Sequence, residues 1–196
     1  MSRLLAPPAH GTAVIVAHMW LDRPTAPDPH DLMAELPSFT VESDDVQDGQ
    51  PLDSTYVHGS YEGDNTSPHL RWSGFPDETQ SFAVTCYDPD APTGSGFWHW
   101  VLFNIPASVT ELQRGASSDG LPEGAVEARN DYGELGYGGA APPGGDRPHR
   151  YVFTVHALGT DALELDASAS PAYVGFNLSA NAIARGAIRP TYTAPG

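Results

Sequence analysis

The sequence contains no lysine, a single cysteine and no long apolar run. All nine basic residues are arginines, set against 25 acidic residues, and the formal net charge is −16 at pH 7. A chain this acidic is not expected to take nucleic acid or an anionic bilayer as its main partner, because both are themselves negatively charged. The charge does not exclude a small local site for an anion.

The lone cysteine, Cys86, cannot form a disulfide within the chain. A chain without disulfides suits a reducing compartment, and we expect a cytoplasmic protein. The apolar run near the start extends only from Thr12 to Val16. It is too short to span a bilayer and makes a poor secretion signal, so no stable membrane association is expected.

Sequence signatures of metal, cofactor and hydrolase sites are absent too. The chain lacks His-Glu-x-x-His, the P-loop, the dinucleotide-binding glycine pattern and Gly-x-Ser-x-Gly. No metal and no cofactor is therefore predicted. Ser95, His99 and Asp88 could be written as a Ser-His-Asp triad, but nothing in their spacing requires one.

What the sequence does contain is a series of short strand patterns separated by turns rich in Gly and Pro. Strands are predicted at 37–43, 68–76, 81–90, 97–106 and 151–158, with a closing strand at 187–193. Residues 108–115 are predicted as one helical turn, and a helix is predicted from Pro171 to Arg185 because a Ser-Pro start precedes apolar residues three or four apart. The pattern predicts a mainly β domain over 37–196 with peripheral helices, preceded by a partly irregular extension over 1–36.

The segment Asp-Pro-Asp-Ala-Pro begins at Asp88, where a predicted buried strand ends. Pro89 and Pro92 fix their own φ angles and restrict the residue before each of them. Asp88 is therefore expected to be held rigidly, as a carboxylate aimed into a pocket would be. The alternative is an ordinary turn whose aspartates accept hydrogen bonds from nearby backbone amides.

The segment Phe-Trp-His-Trp follows after a glycine-rich turn. Strict alternation along a strand would place Trp98 and Trp100 on one face and His99 on the other. A buried imidazole needs a hydrogen-bond partner, and Asp88 is the predicted one. Such a carboxylate would raise the pKa of His99 and favour a cation able to hold phosphate or carboxylate.

A third segment, Gly136 to Tyr151, combines glycines with a His-Arg-Tyr sequence. Its glycines can turn several backbone N–H groups towards one point, and such concave groups of amides bind anions. His149 and Tyr151 would share one face of the following strand, with Arg150 on the other. The alternative is a long mobile loop.

Together, residues 88–106 and 136–158 resemble the phosphatidylethanolamine-binding protein family, in particular its bacterial Raf-kinase-inhibitor-like branch. Residues 65–72 and 174–188 resemble two further motifs of that family. The resemblance implies a large antiparallel sheet packed on a smaller one, with peripheral helices and a small anion pocket. It implies ligand-binding roles for Asp88, Asp90, His99, Gly139, Ala140, Ala141, Pro143, His149 and Tyr151.

The function expected from this resemblance is non-catalytic binding of a small anionic ligand carrying phosphate or carboxylate. Two alternatives stay open: a regulator of a protein partner such as a kinase or protease, and an enzyme using Asp88, His99, His149 and Tyr151 for acid–base chemistry. No sequence feature identifies a protein partner. Because bacterial members of the family often pair, the resemblance is compatible with a homodimer.

Overall fold

The computed structural model describes residues 23–196. The expectation about the apolar run at Thr12–Val16 lies outside the described residues. The structure contains ten strands and two α-helices within the described part of the chain. In chain order the elements are β1 (Thr40–Glu42), β2 (Leu70–Ser73), β3 (Ser81–Asp88), β4 (Phe97–Pro106), β5 (Glu111–Leu112), α1 (Ala116–Asp119), β6 (Val126–Glu127), β7 (His149–Arg150), β8 (Val152–Leu158), α2 (Pro171–Asn181), β9 (Ala182–Ile188) and β10 (Thr191–Tyr192).

The architecture is mainly β, as predicted. A five-stranded sheet has the order β6-β4-β3-β8-β9, a three-stranded sheet has the order β1-β2-β5, and β10 pairs with β7. Every pairing between these strands is antiparallel. The large and small sheets predicted from the family resemblance are therefore both present.

The main hydrophobic core lies between the two larger sheets. Leu70 and Trp72 of β2 share one buried cluster with Phe82 of β3, Trp100 of β4 and Phe153 of β8. A second cluster covers the opposite face of the five-stranded sheet, where α2 packs. Because β3 and β8 are covered on both faces, their sequences show continuous apolar runs rather than alternation.

Two predictions of local structure are wrong. Residues 108–115 form no helical turn: Glu111–Leu112 pair with β2 as a strand, and α1 begins only at Ala116. The C-terminal helix ends at Asn181 instead of Arg185, because the following residues pair with β8 as β9. In both places pairing with a neighbouring strand outweighs the weak helical pattern.

The start of α2 agrees with its sequence signal. Ser170 is the N-cap, its hydroxyl accepts from the Tyr173 amide at 3.3 Å, and Pro171 follows at the first helical position. We expect Ser170→Ala to lower the free energy of unfolding by about 1 kcal/mol, measured by urea denaturation. Ser170→Asp keeps a capping oxygen and serves as the control. An equal loss in both variants would contradict a capping role.

The described part of the extension, residues 23–36, runs along the domain and is tied to it by polar contacts. Arg189 pairs with Asp28 at 2.6 Å, and the His30 ring lies 3.0 Å from the Thr154 hydroxyl. Arg147 donates to the carbonyl of Pro24 at 2.8 Å. This segment therefore belongs to the surroundings of the site described next.

Candidate functional site

A small cavity of about 140 Å³ opens where β3 ends and β4 begins. We call it the strand-end cavity. Five residues from the sequence-predicted set line it: Asp88, His99, Ala141, Pro143 and His149. Its other lining residues were not predicted, and they are Ala91, Pro92, Thr93, Phe97, Tyr132 and Pro142.

Asp88 is the last residue of β3 and is almost completely buried. One carboxylate oxygen accepts the Asp90 amide at 2.7 Å, which is the turn contact expected of an Asp-Pro-Asp segment. The other oxygen lies 2.7 Å from Nδ1 of His149. The predicted pairing of Asp88 with His99 is therefore wrong, because the carboxylate is bonded to the histidine of β7 instead.

His99 reaches the cavity through an irregularity in strand β4. In the pairing of β3 with β4, Cys86 lies opposite Trp100 and Tyr87 lies opposite Trp98, so His99 is the extra residue of a β-bulge. The bulge interrupts the alternation of side chains. Trp100 consequently joins the main core while Trp98 packs against the cluster on the other face, and the prediction that both tryptophans share a face is wrong.

The hydrogen bonds of His99 define its tautomer. Nδ1 lies 2.8 Å from the carbonyl oxygen of Gly138 and 3.1 Å from that of Gly139. A carbonyl oxygen can only accept, so Nδ1 carries the proton and Nε2 is the ring nitrogen left for the cavity. Burial lowers the pKa of His99, and this outweighs the opposing effects of Asp88 and the two carbonyls. The predicted rise in the pKa of His99 is wrong, and the free ring is neutral at pH 7.

The surroundings of His149, in contrast, favour its cationic form. Its Nδ1 faces Asp88, and its Nε2 lies 3.0 Å from a carboxylate oxygen of Asp146. Burial alone would lower the pKa of His149, but the hydrogen bonds and charges of Asp88 and Asp146 outweigh burial and raise it. Both ring nitrogens thus lie within hydrogen-bond distance of carboxylates, an arrangement that favours the imidazolium, and Nη2 of Arg23 also lies 3.1 Å from Nε2.

The ion pairs continue away from the cavity. Nη2 of Arg23 lies 2.6 Å from the Asp146 carboxylate and donates to the Asp90 carbonyl at 2.6 Å. The Asp90 carboxylate receives Nε, Nη2 and the backbone amide of Arg150. Three carboxylates are thus matched by three cations in this ion cluster, which consists of Asp88, Asp90, Asp146, Arg23, His149 and Arg150.

The predicted ligand-binding role of Asp90 needs correction. Its carboxylate is occupied by Arg150, and its side chain is not among those lining the strand-end cavity. Burial alone would raise the pKa of Asp90, but the hydrogen bonds and charge of Arg150, together with the charge of His149, hold it below its usual value. Asp90 therefore anchors β7 to the segment after β3, which keeps His149 beside Asp88.

Two of the three predicted loop amides are already used. The Gly139 amide donates to the side-chain oxygen of Asn65 at 2.7 Å, and the Ala140 amide donates to the Tyr56 carbonyl at 3.2 Å. Neither residue lines the cavity, so this structure does not offer the predicted amides of Gly139 and Ala140 to a ligand there. Ala141 does line it, and no hydrogen bond within residues 23–196 engages the Ala141 amide.

The tyrosine that lines the cavity is Tyr132 and not the predicted Tyr151. The Tyr151 ring contacts the His99 ring edge-on at 5.0 Å, but Tyr151 does not line the cavity, and its buried hydroxyl has no partner within residues 23–196. Tyr132, which was not predicted, lines the cavity, lies 4.7 Å from the Phe97 ring and donates to the Gly139 carbonyl at 3.1 Å. Its only sequence signal is the preceding Asn130, whose side chain accepts the Tyr132 amide as turn asparagines do.

Residues 23–196 contain no group of three or more His, Cys, Asp or Glu side chains arranged to hold a metal ion. The same part of the chain contains no helix long and apolar enough to cross a membrane.

Comparison with known proteins identifies the family. A sequence model described as phosphatidylethanolamine-binding protein matches residues 42–193, most of the chain. The chain belongs to this family. Its relatives include YbcL of Escherichia coli strain K12, 52% identical over 164 residues that make up 81% of this chain and 90% of YbcL. YbhB of the same strain is 48% identical over 155 residues, 77% of this chain and 98% of YbhB.

Solved structures agree with this membership. The crystal structure of E. coli YbcL, described as a new member of the mammalian family, has a TM-score of 0.78 and covers 80% of this chain and 98% of its own. The family match begins at residue 42, so Arg23 and the other contacts of residues 23–41 lie outside it. The part of the ion cluster supplied by Arg23 is therefore a feature of this chain that the family match does not cover.

Proposed function

We propose that the protein binds a small phosphate- or carboxylate-bearing molecule in the strand-end cavity and does not transform it. The observation that carries this proposal is the arrangement of His99, whose Nδ1 is fixed by two carbonyls so that only Nε2 is left for the cavity. Family membership supports the same assignment. The cavity is small beside the ~300–1,000 Å³ pockets that bury drug-sized ligands, so it suits the anionic group alone.

Binding of the anion is coupled to a proton. In the free protein His99 is neutral, and its Nε2 has a lone pair rather than a hydrogen. An anion placed against Nε2 favours the imidazolium, which then donates a charge-assisted hydrogen bond to it. The Ala141 amide is the second donor available at the cavity wall. Binding of the anion is therefore accompanied by the uptake of one proton from the solvent.

The ion cluster explains why the nearby carboxylate does not repel the ligand. Asp88 lines the cavity, but it is paired with His149, which lies 2.7 Å away and whose raised pKa favours the cation that balances the Asp88 charge. Replacing that histidine would expose the ligand to an unbalanced negative charge. His149 thus assists binding by neutralising Asp88, while His99 makes the contact.

The lining gives little support to catalysis by a nucleophile. The Thr93 hydroxyl is already donated to the Gly96 carbonyl at 2.5 Å. Cys86 is buried in the core, and burial raises the pKa of its thiol, which disfavours the reactive thiolate. Ser95 lies on the opposite face of the sheet from His99, so the Ser-His-Asp triad that the sequence allowed does not form.

The test is the pH dependence of anion affinity. We expect the affinity for sulfate, which does not itself titrate near neutrality, to fall by up to about tenfold per pH unit as the pH rises above the pKa of free His99. Isothermal titration calorimetry in buffers of different ionisation enthalpy measures the accompanying uptake of one proton. Phosphate and O-phosphoethanolamine, tested in parallel, report which anionic group the cavity prefers.

His99→Gln provides the matched control, because glutamine can retain a polar contact but cannot become a cation. This variant should bind sulfate about tenfold more weakly at pH 6 and should lose the pH dependence. Sulfate binding that is independent of pH in the unaltered protein would contradict the proposed role of His99. Turnover of a phosphate ester by the purified protein, lost in His99→Gln, would replace this proposal with an enzymatic function.

A further inference from the structure

A second cavity of about 380 Å³ lies on the other face of the five-stranded sheet. It is enclosed by α2 and by the 3-10 turn at Pro29–Leu32, and we call it the sheet-face cavity. The bulge in β4 separates the two cavities, since His99 lines the strand-end cavity and its neighbour Trp98 lines the sheet-face cavity. This cavity is distinct from the proposed anion site and shares no lining residue with it.

The lining of the sheet-face cavity is mainly apolar. Its apolar wall is formed by Leu32, Met33, Trp98, Val152 and Leu178. The volume falls within the range of about 300–1,000 Å³ that is typical of pockets for small organic molecules. Size and lining together point to a compact apolar ligand.

One polar group in the wall has an unmet hydrogen-bonding requirement. His156 lines the cavity and is only 5% exposed, its Nε2 lies 3.3 Å from the Thr85 hydroxyl, and its Nδ1 has no partner within residues 23–196. Buried polar atoms without partners are rare in folded proteins and costly. The nearby His30, by contrast, is satisfied by Thr154 and Arg189.

The charges around the cavity favour a neutral ligand. Burial, reinforced by the charges of His30 and Arg185, lowers the pKa of His156 to about 3. Burial and the charges of Arg185 and Arg189 lower the pKa of His30 to about 4. Both rings are therefore uncharged near neutral pH. Arg189 is itself paired with Asp28, so it offers no free cation to an anionic ligand here.

We propose that the sheet-face cavity binds a neutral, mainly apolar small molecule with one hydroxyl or amide group, and that this group pairs with Nδ1 of His156. Nδ1 is itself buried from solvent, so the pairing requires the His156 ring to turn towards the cavity. Apolar cavities in proteins otherwise stay empty and accept apolar molecules when these are offered.

The experiment compares p-cresol with toluene, which has the same ring and methyl group but no hydroxyl. Binding is followed by NMR through the indole N–H signal of Trp98, assigned with a Trp98→Phe variant. We expect saturable shifts with p-cresol, unaffected by saturating sulfate. His156→Leu should lower the p-cresol-to-toluene affinity ratio about fivefold, because it removes one hydrogen bond while the ring still fits. His156→Asn keeps a polar group near Nδ1 and should restore part of the ratio.

A filling variant keeps the proposal testable if changes at His156 disturb folding. A Cβ built on Gly175 of α2 would lie 3.6 Å from the Trp98 ring, so a leucine there enters the cavity from a helical position where it is also favoured over glycine. Gly175→Leu should lower the affinity for both p-cresol and toluene at least tenfold. No saturable shift with either ligand, or an unchanged affinity ratio in His156→Leu, would overturn the proposal.

Discussion

Replacing His149 with leucine is expected to lower the free energy of unfolding by about 3–5 kcal/mol at pH 6. The substitution removes the buried cation that lies between Asp88 and Asp146, at 2.7 and 3.0 Å from their oxygens. Asp146 keeps Arg23, but among residues 23–196 Asp88 retains only the Asp90 amide. Breaking a buried ion pair from one side costs this much because it leaves a desolvated charge without a partner. Urea denaturation measures the change.

The control is a double variant that removes the stranded charge as well. If the isolated carboxylate causes most of the loss, Asp88→Asn combined with His149→Leu should be more stable than His149→Leu alone, although it contains one more substitution. A double variant that is less stable than the single one would show that lost packing, rather than the unpaired charge, explains the effect.

The unaltered protein also depends on pH at this position. The pKa of His149 is raised in the folded state, so its contribution is complete below the unfolded value of about 6.5 and is lost as the pH rises through the folded value. The ion cluster is therefore strongest below about pH 6.5. The affinity of the strand-end cavity for anions is expected to rise over the same acidic range, where His149 neutralises Asp88 and His99 can take up its proton.

The strands at the centre of the fold could be predicted because their sequence signals are strong and local. β3, β4 and β8 combine β-branched and aromatic residues with clear turn signals at their ends. The C-terminal boundary was missed for a different reason. The same apolar spacing continues past Asn181, and only pairing with β8 makes residues 182–188 a strand. Such pairing depends on residues distant in sequence.

The residues of the strand-end cavity could be located, but their partners could not. Asp88, His99 and His149 lie together as expected. The β-bulge that directs His99 inward, however, cannot be predicted from the sequence by assuming strict alternation of side chains along the strand. The choice of His149 rather than His99 as the partner of Asp88 follows from that geometry. Arg23 was beyond prediction, because it lies 123 positions from Asp146 in a segment with weak patterning.

The bulge also explains how one strand end serves both faces of the sheet. By inserting His99 between Trp98 and Trp100, it directs a polar side chain towards the ion cluster and an aromatic one towards α2. All three histidines are buried, and their partners decide the favoured charge: the carboxylates beside His149 raise its pKa, while burial lowers the pKa of His99 and of His156. The fold thus combines a polar, charge-balanced cavity with an apolar one across a single sheet.

Acidification is expected to destabilise the protein between pH 6.5 and 4.5, and His156 should account for about 2 kcal/mol of the loss. Its pKa is about 3 in the folded state because burial, then His30 and Arg185, disfavour the cation, whereas the unfolded chain titrates near 6.5. Below pH 6.5 the unfolded chain therefore binds a proton that the folded protein does not. The contribution is complete above 6.5 and is lost as the pH falls towards 3. His30, which is more exposed, adds a smaller loss of the same sign.

The His156→Leu variant isolates this contribution, because leucine does not titrate. Whatever its stability at pH 7, the difference between the variant and the unaltered protein should shift by about 2 kcal/mol in favour of the variant as the pH falls from 6.5 to 4.5. Urea denaturation at closely spaced pH values measures the two curves. Parallel curves would mean that His156 takes up a proton in the folded protein, and its ring could then no longer be the neutral hydrogen-bonding group that the sheet-face cavity requires. One variant thus tests both the acid sensitivity of the fold and the chemistry assigned to the second cavity.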